Sequence, residues 1–350
     1  NRITLLYDKY DAYVNVGTLT SIDGSNLVIS MNSADEADSD TKHTEFTKVA
    51  VNYSELMGQK VKVMFTKTSE VLGVYATSDN TTYTVNMKDI EKDGDKVKID
   101  GASYGFDNGS NIDVVKLDAT NEKVVTGQTM DAAAFDTTAN KIKPYSVKFV
   151  DNDGDGKLNI AIITEYLAEE VTYVGSDRIT AGETYKMADE NIAEDLAKDD
   201  YAMISYNMYD DCLDIVKAEV VTDTLNSSKD KTDYIQYEVG STWYNIDKDE
   251  ANNVSVGDTV KAHIVAGVIV SIDTDDGTGA IPNNIAVVVG KGTDTLRGDQ
   301  VKLRYFDGTL KTVTLDKVVA KDGKTAASAQ VGFAYKVSGS DSNTRLDELK

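Results

Sequence analysis

Tyr145-Ser-Val-Lys-Phe-Val-Asp-Asn-Asp-Gly-Asp-Gly-Lys-Leu-Asn-Ile-Ala-Ile-Ile-Thr-Glu-Tyr166 is the stretch from which the rest of the chain can be read. Its two ends, Tyr145–Val150 and Ile160–Tyr166, are rich in β-branched and aromatic residues and predict strands. Between them, Asp151, Asp153 and Asp155 stand at alternate positions around Gly154 and Gly156. Acidic oxygens at that spacing, with glycines to let the chain turn, wrap a hard divalent cation. The unit is therefore a strand, a cation-type loop and a second strand.

The same strand signals recur along the chain every ten residues or so. Examples are Tyr13–Ile22, Lys60–Phe65 and Val268–Ile272. Asp23-Gly24, Asp93-Gly94, Asn108-Gly109, Asp307-Gly308 and Asp322-Gly323 mark hairpin turns, where both central residues favour positive φ. Helix signals are few. Ala188–Lys198 pairs Ile192 with Leu196 at helical spacing, and Met130–Phe135 can make a turn or two. The expected fold is all-β, built of tandem small β-barrel or β-sandwich modules with a few short helices. At 350 residues the expected modules are 1–80, with an acidic loop at 33–42; 81–168, with the cation loop; 169–275, with a short helix; and 276–350.

An internal repeat supports that division. A turn glycine, a polar residue and an apolar strand occur at Gly58–Phe65, Gly257–Ile264 and Gly298–Tyr305, with a looser copy at Lys198–Ser205. In three of these a second strand follows at once, at Val71–Tyr75, Val268–Ile272 and Cys212–Ala218.

Against the twelve-position EF-hand pattern, Asp151, Asp153 and Asp155 fill the first three ligand positions. Lys157 would ligate through its carbonyl and Asn159 fills the ninth position. The twelfth is Ile162, which cannot ligate, and the flanks are not helical. Glu165 is the expected completing acid. The expected ion is calcium at modest affinity, on the order of 10⁻⁴–10⁻³ M.

Other motifs have simpler readings. Arg297-Gly298-Asp299 is explained by the repeated strand start, apart from Arg297. Gly290-Lys-Gly-Thr293 lacks phosphate-loop spacing. His43 lies in the acidic loop, and His263 beside Lys261 is expected to face outward. Cys212, the single cysteine, is expected in the core and cannot form an intrachain disulfide. No catalytic group set emerges, so no enzyme is expected. The net charge of −23, from 36 basic and 59 acidic residues, repels nucleic acid and attracts divalent cations or basic partners. No run reaches the length of a membrane span. The chain starts at Asn1, so a piece processed or excised from something longer is expected. Nineteen tyrosines stand against seven phenylalanines. Clusters at Tyr201/Tyr206/Tyr209 and Tyr234/Tyr237/Trp243/Tyr244 are sheet-packing residues, carbohydrate platforms or subunit contacts.

Three stretches, Tyr13–Gly24, Leu56–Phe65 with Val71–Tyr75, and Val147–Lys157, resemble the extracellular β-rich regions of bacterial S-layer and S-layer-homology-domain surface proteins of clostridial type. The likeness covers roughly residues 10–170. It implies a secreted structural protein of the bacterial cell surface, a calcium-stabilised S-layer or filament subunit whose partners are copies of itself. In that family the residue matching Asn159 is commonly Asp, which implies weaker cation binding here. Attachment to cell-wall polysaccharide is implied only through regions outside this chain. The competing expectation is a secreted adhesin or carbohydrate-binding protein using the Tyr/Trp clusters.

Overall fold

A computed structural model describes residues 12–31, 43–251, 254–275, 285–295, 298–305, 308–320 and 326–349. The fold is all-β, with twenty-nine strands and a one-turn α-helix among the described residues. Two compact units divide between Thr274 and Asp275.

The barrel at the end of the first unit displays the plan most clearly. It contains β19 (Glu219–Asp230), β20 (Tyr234–Val239), β21 (Thr242–Asp247), β22 (Thr259–Val265) and β23 (Val268–Thr274). Its closed order is β19-β20-β21-β23-β22, with β21–β23 the one parallel pair. Numbered within the barrel, this is 1-2-3-5-4 returning to 1, the order of an OB-type Greek-key barrel.

The plan recurs four times. At the start of the chain, β1 (Tyr13–Asp23), β2 (Asn26–Ser30), β3 (Glu45–Thr47), β4 (Lys60–Phe65) and β5 (Val71–Ala76) follow it. There a single parallel bridge, Thr47 to Glu70, makes the 3–5 link. In the second unit the same cycle runs through β24 (Ile285–Asp294), β25 (Gly298–Tyr305), β26 (Leu310–Val319), β28 (Ala334–Ser340) and β29 (Asn343–Glu348). A short β27 (Ala326–Ala327) lies on β26 there.

The second barrel is a distorted copy. Its strand 1 is β6 (Thr81–Asn86) and β7 (Glu91–Asp93), strand 2 is β8 (Lys96–Ile99), and strand 3 is β9 (Ala102–Tyr104) continuing into β10 (Asn111–Asp118). After an added β11 (Lys123–Asp131) and α1 (Ala132–Phe135), β12 (Tyr145–Asp151) and β13 (Ile160–Val174) supply strands 4 and 5. Asp131 caps α1 by accepting the Ala134 N–H at 2.8 Å.

The third barrel has no strand 1 of its own. The first half of β13 pairs with β10 and β12. Its second half pairs with β14 (Arg178–Ala181) and β17 (Tyr201–Asn207). Strand 3 is β15 (Glu183–Lys186) with β16 (Asn191–Ile192), and β16 runs parallel to β18 (Cys212–Lys217). The linker expected at Ala168–Glu170 is thus the middle of a continuous strand. Glu169 and Glu170 read as a break because they face solvent, while the backbone carries on through Val171 in the core.

The helix expected over Ala188–Lys198 does not form. Ile192 instead pairs with Ile215 in a parallel ladder, and the Leu196 side chain is buried in the core. Tertiary pairing overrides the i,i+4 pattern. Met130–Phe135 yields only the single turn α1, because Met130 and Asp131 finish β11. The acidic loop at 33–42 and Arg297 lie outside the described residues. Cys212 is only half-buried.

Alternation along the strands builds the cores. In β17, Ala202, Ile204 and Tyr206 point inward, and in β22 Val260, Ala262 and Ile264 do so. The first core is not confined to one barrel. Leu19, Phe46 and Phe65 of the first barrel join Val115, Val150 and Ile162 of the second and Ile179, Ile204 and Ile215 of the third in one cluster.

His263 is the main departure from expectation. It lies on the outer face of β22 as its alternation requires, but that face is covered by the third barrel. The ring stacks on Tyr201 at 4.7 Å between centroids and is 5% exposed. Neither ring nitrogen has a hydrogen-bond partner among the described residues. Burial, then the nearby Lys261, with a smaller contribution from Lys217, hold its pKa below the ordinary 6.5, against the pull of Asp200 and Asp273. Above about pH 6.5 both folded and unfolded chains carry the ring neutral. As pH falls through that value the unfolded chain takes the proton first, so stability is lost on the acid side. His263→Phe is expected to be at least as stable at neutral pH, since it removes two orphaned nitrogens. It should also lose less melting temperature between pH 7 and pH 5 than the parent. Parallel pH profiles for the two proteins would refute the assignment.

Candidate metal centre

The cation-type loop joins β12 to β13, that is, strands 4 and 5 of the second barrel. Val150 pairs with Ile160, and the Asn159 N–H donates to the Val150 carbonyl at 2.8 Å, which closes the loop at its base. Val147, Phe149 and Val150 are fully buried and anchor the strand that delivers Asp151.

Asp151 is the hub. Its side chain is 4% exposed. Oδ1 accepts the N–H of Gly154 at 2.7 Å and of Asp153 at 3.3 Å, and Oδ2 accepts that of Gly156 at 2.9 Å. Gly154 and Gly156 have φ of 79° and 84°, values that favour glycine. The pattern repeats outward: Asp153 accepts the Asp155 N–H at 3.2 Å, and Asp155 accepts the Lys157 N–H at 2.8 Å. Asn159 Oδ1 takes the Asn152 N–H at 2.8 Å, clasping the two ends.

Three carboxylates converge on the outside of this loop. Oxygens of Asp153, Asp155 and Asp107 lie within 4.8 Å of one another, all on exposed side chains. Asp107 comes from the turn after β9. It is fixed by its own N–H donating to Leu158 O at 3.0 Å, and by Leu158 N–H donating to Gly105 O at 2.9 Å. The Lys157 ammonium sits among these acids, 3.1 Å from Asp155 Oδ2 and 3.5 Å from Asp107 Oδ1. The Lys157 N–H, then its ammonium, hold the Asp155 carboxyl below the usual range.

The expected ligands therefore separate into groups. Asp153 and Asp155 face the cluster. Asp151 spends its side chain largely on backbone N–H groups; with about four lone-pair sites and three used, one remains. Lys157 contributes its ammonium as a resident cation, and Asn159 serves as a clasp. Glu165 is elsewhere. Five residues beyond Ile160 on β13, it lies about 17 Å along the strand from the loop. It accepts a hydrogen bond from the Tyr145 hydroxyl at 2.5 Å, and its Oε2 lies 3.0 Å from Lys116 Nζ. That contact is an ion pair whose angle makes no hydrogen bond. Burial and this bond push the Tyr145 phenol pKa upward. Asp107, 44 residues before Asp151, takes the place expected for Glu165. The only sequence signal for it is the adjacent Asn108-Gly109 turn.

The loop also touches the first barrel. Asn152 Nδ2 donates to Gly58 O at 3.0 Å, and Lys148 Nζ donates to Glu55 O at 2.6 Å. A Cβ on Gly58 would lie 2.7 Å from Ile160 Cγ2, so glycine permits this close approach.

No family model matches the chain, and no curated protein matches it. Among solved structures it is similar to a multidomain protein with nucleic acid binding domains from Streptococcus pneumoniae TIGR4, at 10% identity and a TM-score of 0.16. The match covers 53% of this chain and 73% of that one. A score that low carries no argument about fold or function.

Asp151→Ala removes the shared acceptor of three loop N–H groups, on Asp153, Gly154 and Gly156, and with it the buried anchor of the loop. It is expected to cost about 1–3 kcal/mol, read by denaturant unfolding with a chelator present. An unchanged midpoint would show that the loop does not depend on this carboxylate.

Proposed function

We propose that this chain is a structural subunit of an extracellular layer or filament on a bacterial surface, associating with copies of itself. The observation that carries the reading is β13. One strand completes two barrels, and a single core runs through three, so the first three barrels are held as one rigid body. A rigid body with fixed internal angles is what a repeating assembly requires of its subunit. The charge of −23 means that neighbouring copies repel unless cations gather between them.

In this reading calcium binds Asp107, Asp153 and Asp155, helped by the remaining valence of Asp151 and by backbone carbonyls, and displaces the Lys157 ammonium. The loop's contact with Gly58 makes such binding a brace between the first and second barrels. For a site with Kd of about 1 mM, calcium at about 10 mM stabilises the fold by about 1.4 kcal/mol. Calorimetry should therefore give a higher melting temperature in calcium than in chelator. Asp107→Asn should abolish the difference while leaving the loop's own hydrogen bonds in place. Electron microscopy of the purified chain tests the assembly. Ordered sheets or fibres in calcium are expected, and dispersed single particles there would sink the structural reading.

A further inference from the structure

The outer face of the fourth barrel bears a second feature. Strict alternation in β20 turns Ile235, Tyr237 and Val239 into the barrel and leaves Tyr234 and Gln236 outside. In β21 it leaves Trp243 and Asn245 outside. The two outer pairs adjoin, since Gln236 is opposite Asn245 and donates to its Oδ1 at 3.1 Å. This face forms one wall of a cleft of about 550 Å³, within the range of small-ligand sites.

The opposite wall belongs to the second barrel, and its geometry is fixed. Lys141 Nζ donates to Lys88 O at 3.1 Å and to Ile90 O at 2.7 Å, and pairs with Asp136 at 2.8 Å. Asn245 Nδ2 donates across to Lys141 O at 2.8 Å, so the two walls are tied at the floor of the cleft.

Charge separates this cleft from the rest of the molecule. Its three carboxylates are all matched by lysines: Asp136 by Lys141, Asp89 by Lys88 at 2.6 Å and Glu91 by Lys98 at 2.8 Å. Lys92 and Lys231 also line it. Their ammonium groups, and the Tyr234 hydroxyl, make no hydrogen bond or ion pair among the described residues. A chain with net charge −23 thus holds a cleft lined by four lysines against three carboxylates, in which Lys92 also acts through space on Asp136. An indole lies beside them, and the Lys229 ammonium covers one face of its ring at 3.7 Å.

We propose that this cleft binds a short stretch of an acidic polysaccharide. A pyranose ring stacks its C–H face on the free side of Trp243. Lys92 and Lys231 pair with the sugar acids, and Tyr234 and the Gln236 carbonyl meet ring hydroxyls. Two spare lysines suit one or two carboxylates. A single-stranded nucleic acid carries a phosphate on every unit and would leave the cleft across a repelling surface. The inference is independent of self-assembly: it gives the chain its own contact with a surface glycan, at a site within residues 88–245.

Trp243 is the only tryptophan, so its fluorescence reports the cleft alone. Titration of the full chain with trigalacturonate should change the emission saturably, and about 0.5 M NaCl should weaken the effect. Lys92→Ala and Lys231→Ala, both at exposed positions, should each weaken binding about tenfold. Neutral cellotriose should bind about tenfold less tightly than trigalacturonate. Migration of Trp243→Ala in a polygalacturonate gel should be retarded less than that of the parent. No saturable change with trigalacturonate would overturn the proposal. So would lysine variants that bind as tightly as the parent, or an oligothymidylate that binds more tightly than the acidic sugar.

Discussion

Fifteen residues of unbroken strand, Ile160–Val174, constrain everything around them. At about 3.3 Å per residue β13 is about 50 Å long, too long for one small barrel. Its backbone groups must be paired along the whole length. The second barrel satisfies the first half, and the third satisfies the remainder. From that sharing follow the continuous core, the fixed relation of these barrels and the placing of the acidic loop against the first barrel. The loop is a 4–5 hairpin like β4–β5 or β22–β23, lengthened and filled with carboxylates.

Carboxylate use within the loop illustrates how one residue type takes different roles. Asp151 is buried and organises N–H groups, so it belongs to the folding of the loop. Asp153 and Asp155 are exposed and meet Asp107 and the Lys157 ammonium. In exposed sites such pairs contribute little to stability, which leaves these groups available to a stronger cation. Glu165, buried with Lys116 and Tyr145, is instead held within its own network.

Much of this was legible in the residues because period-two alternation is a local property. The strand, the turn glycine and the following strand at Gly58 and Gly257, with the looser copy at Lys198, all proved to be the 4–5 hairpin. Gly298–Tyr305 carries the same opening yet forms strand 2 of its barrel. A hairpin partner, β26, follows it as well, so only the pairing of β25 with β24 marks it as strand 2. Local pattern does not encode what packs on the outer face of a strand. His263 has the alternation of an exposed residue, and only the neighbouring barrel buries it. Asp107 and the pairing of Ile192 with Ile215 depend likewise on segments distant in sequence. The shared strand was hidden by Glu169 and Glu170, whose solvent-facing charges look like a linker.

One consequence of β13 concerns how such a chain can be rearranged by recombination. A genetic crossover falling near residue 168 would join half of this strand to a foreign continuation, which must hold the same register or leave backbone groups unpaired at the junction of the two barrels. Barrels two and three can therefore be inherited or exchanged only as a pair. A crossover after Thr274, where the compact units divide, leaves every barrel whole, so the last one is free to be swapped as a cassette.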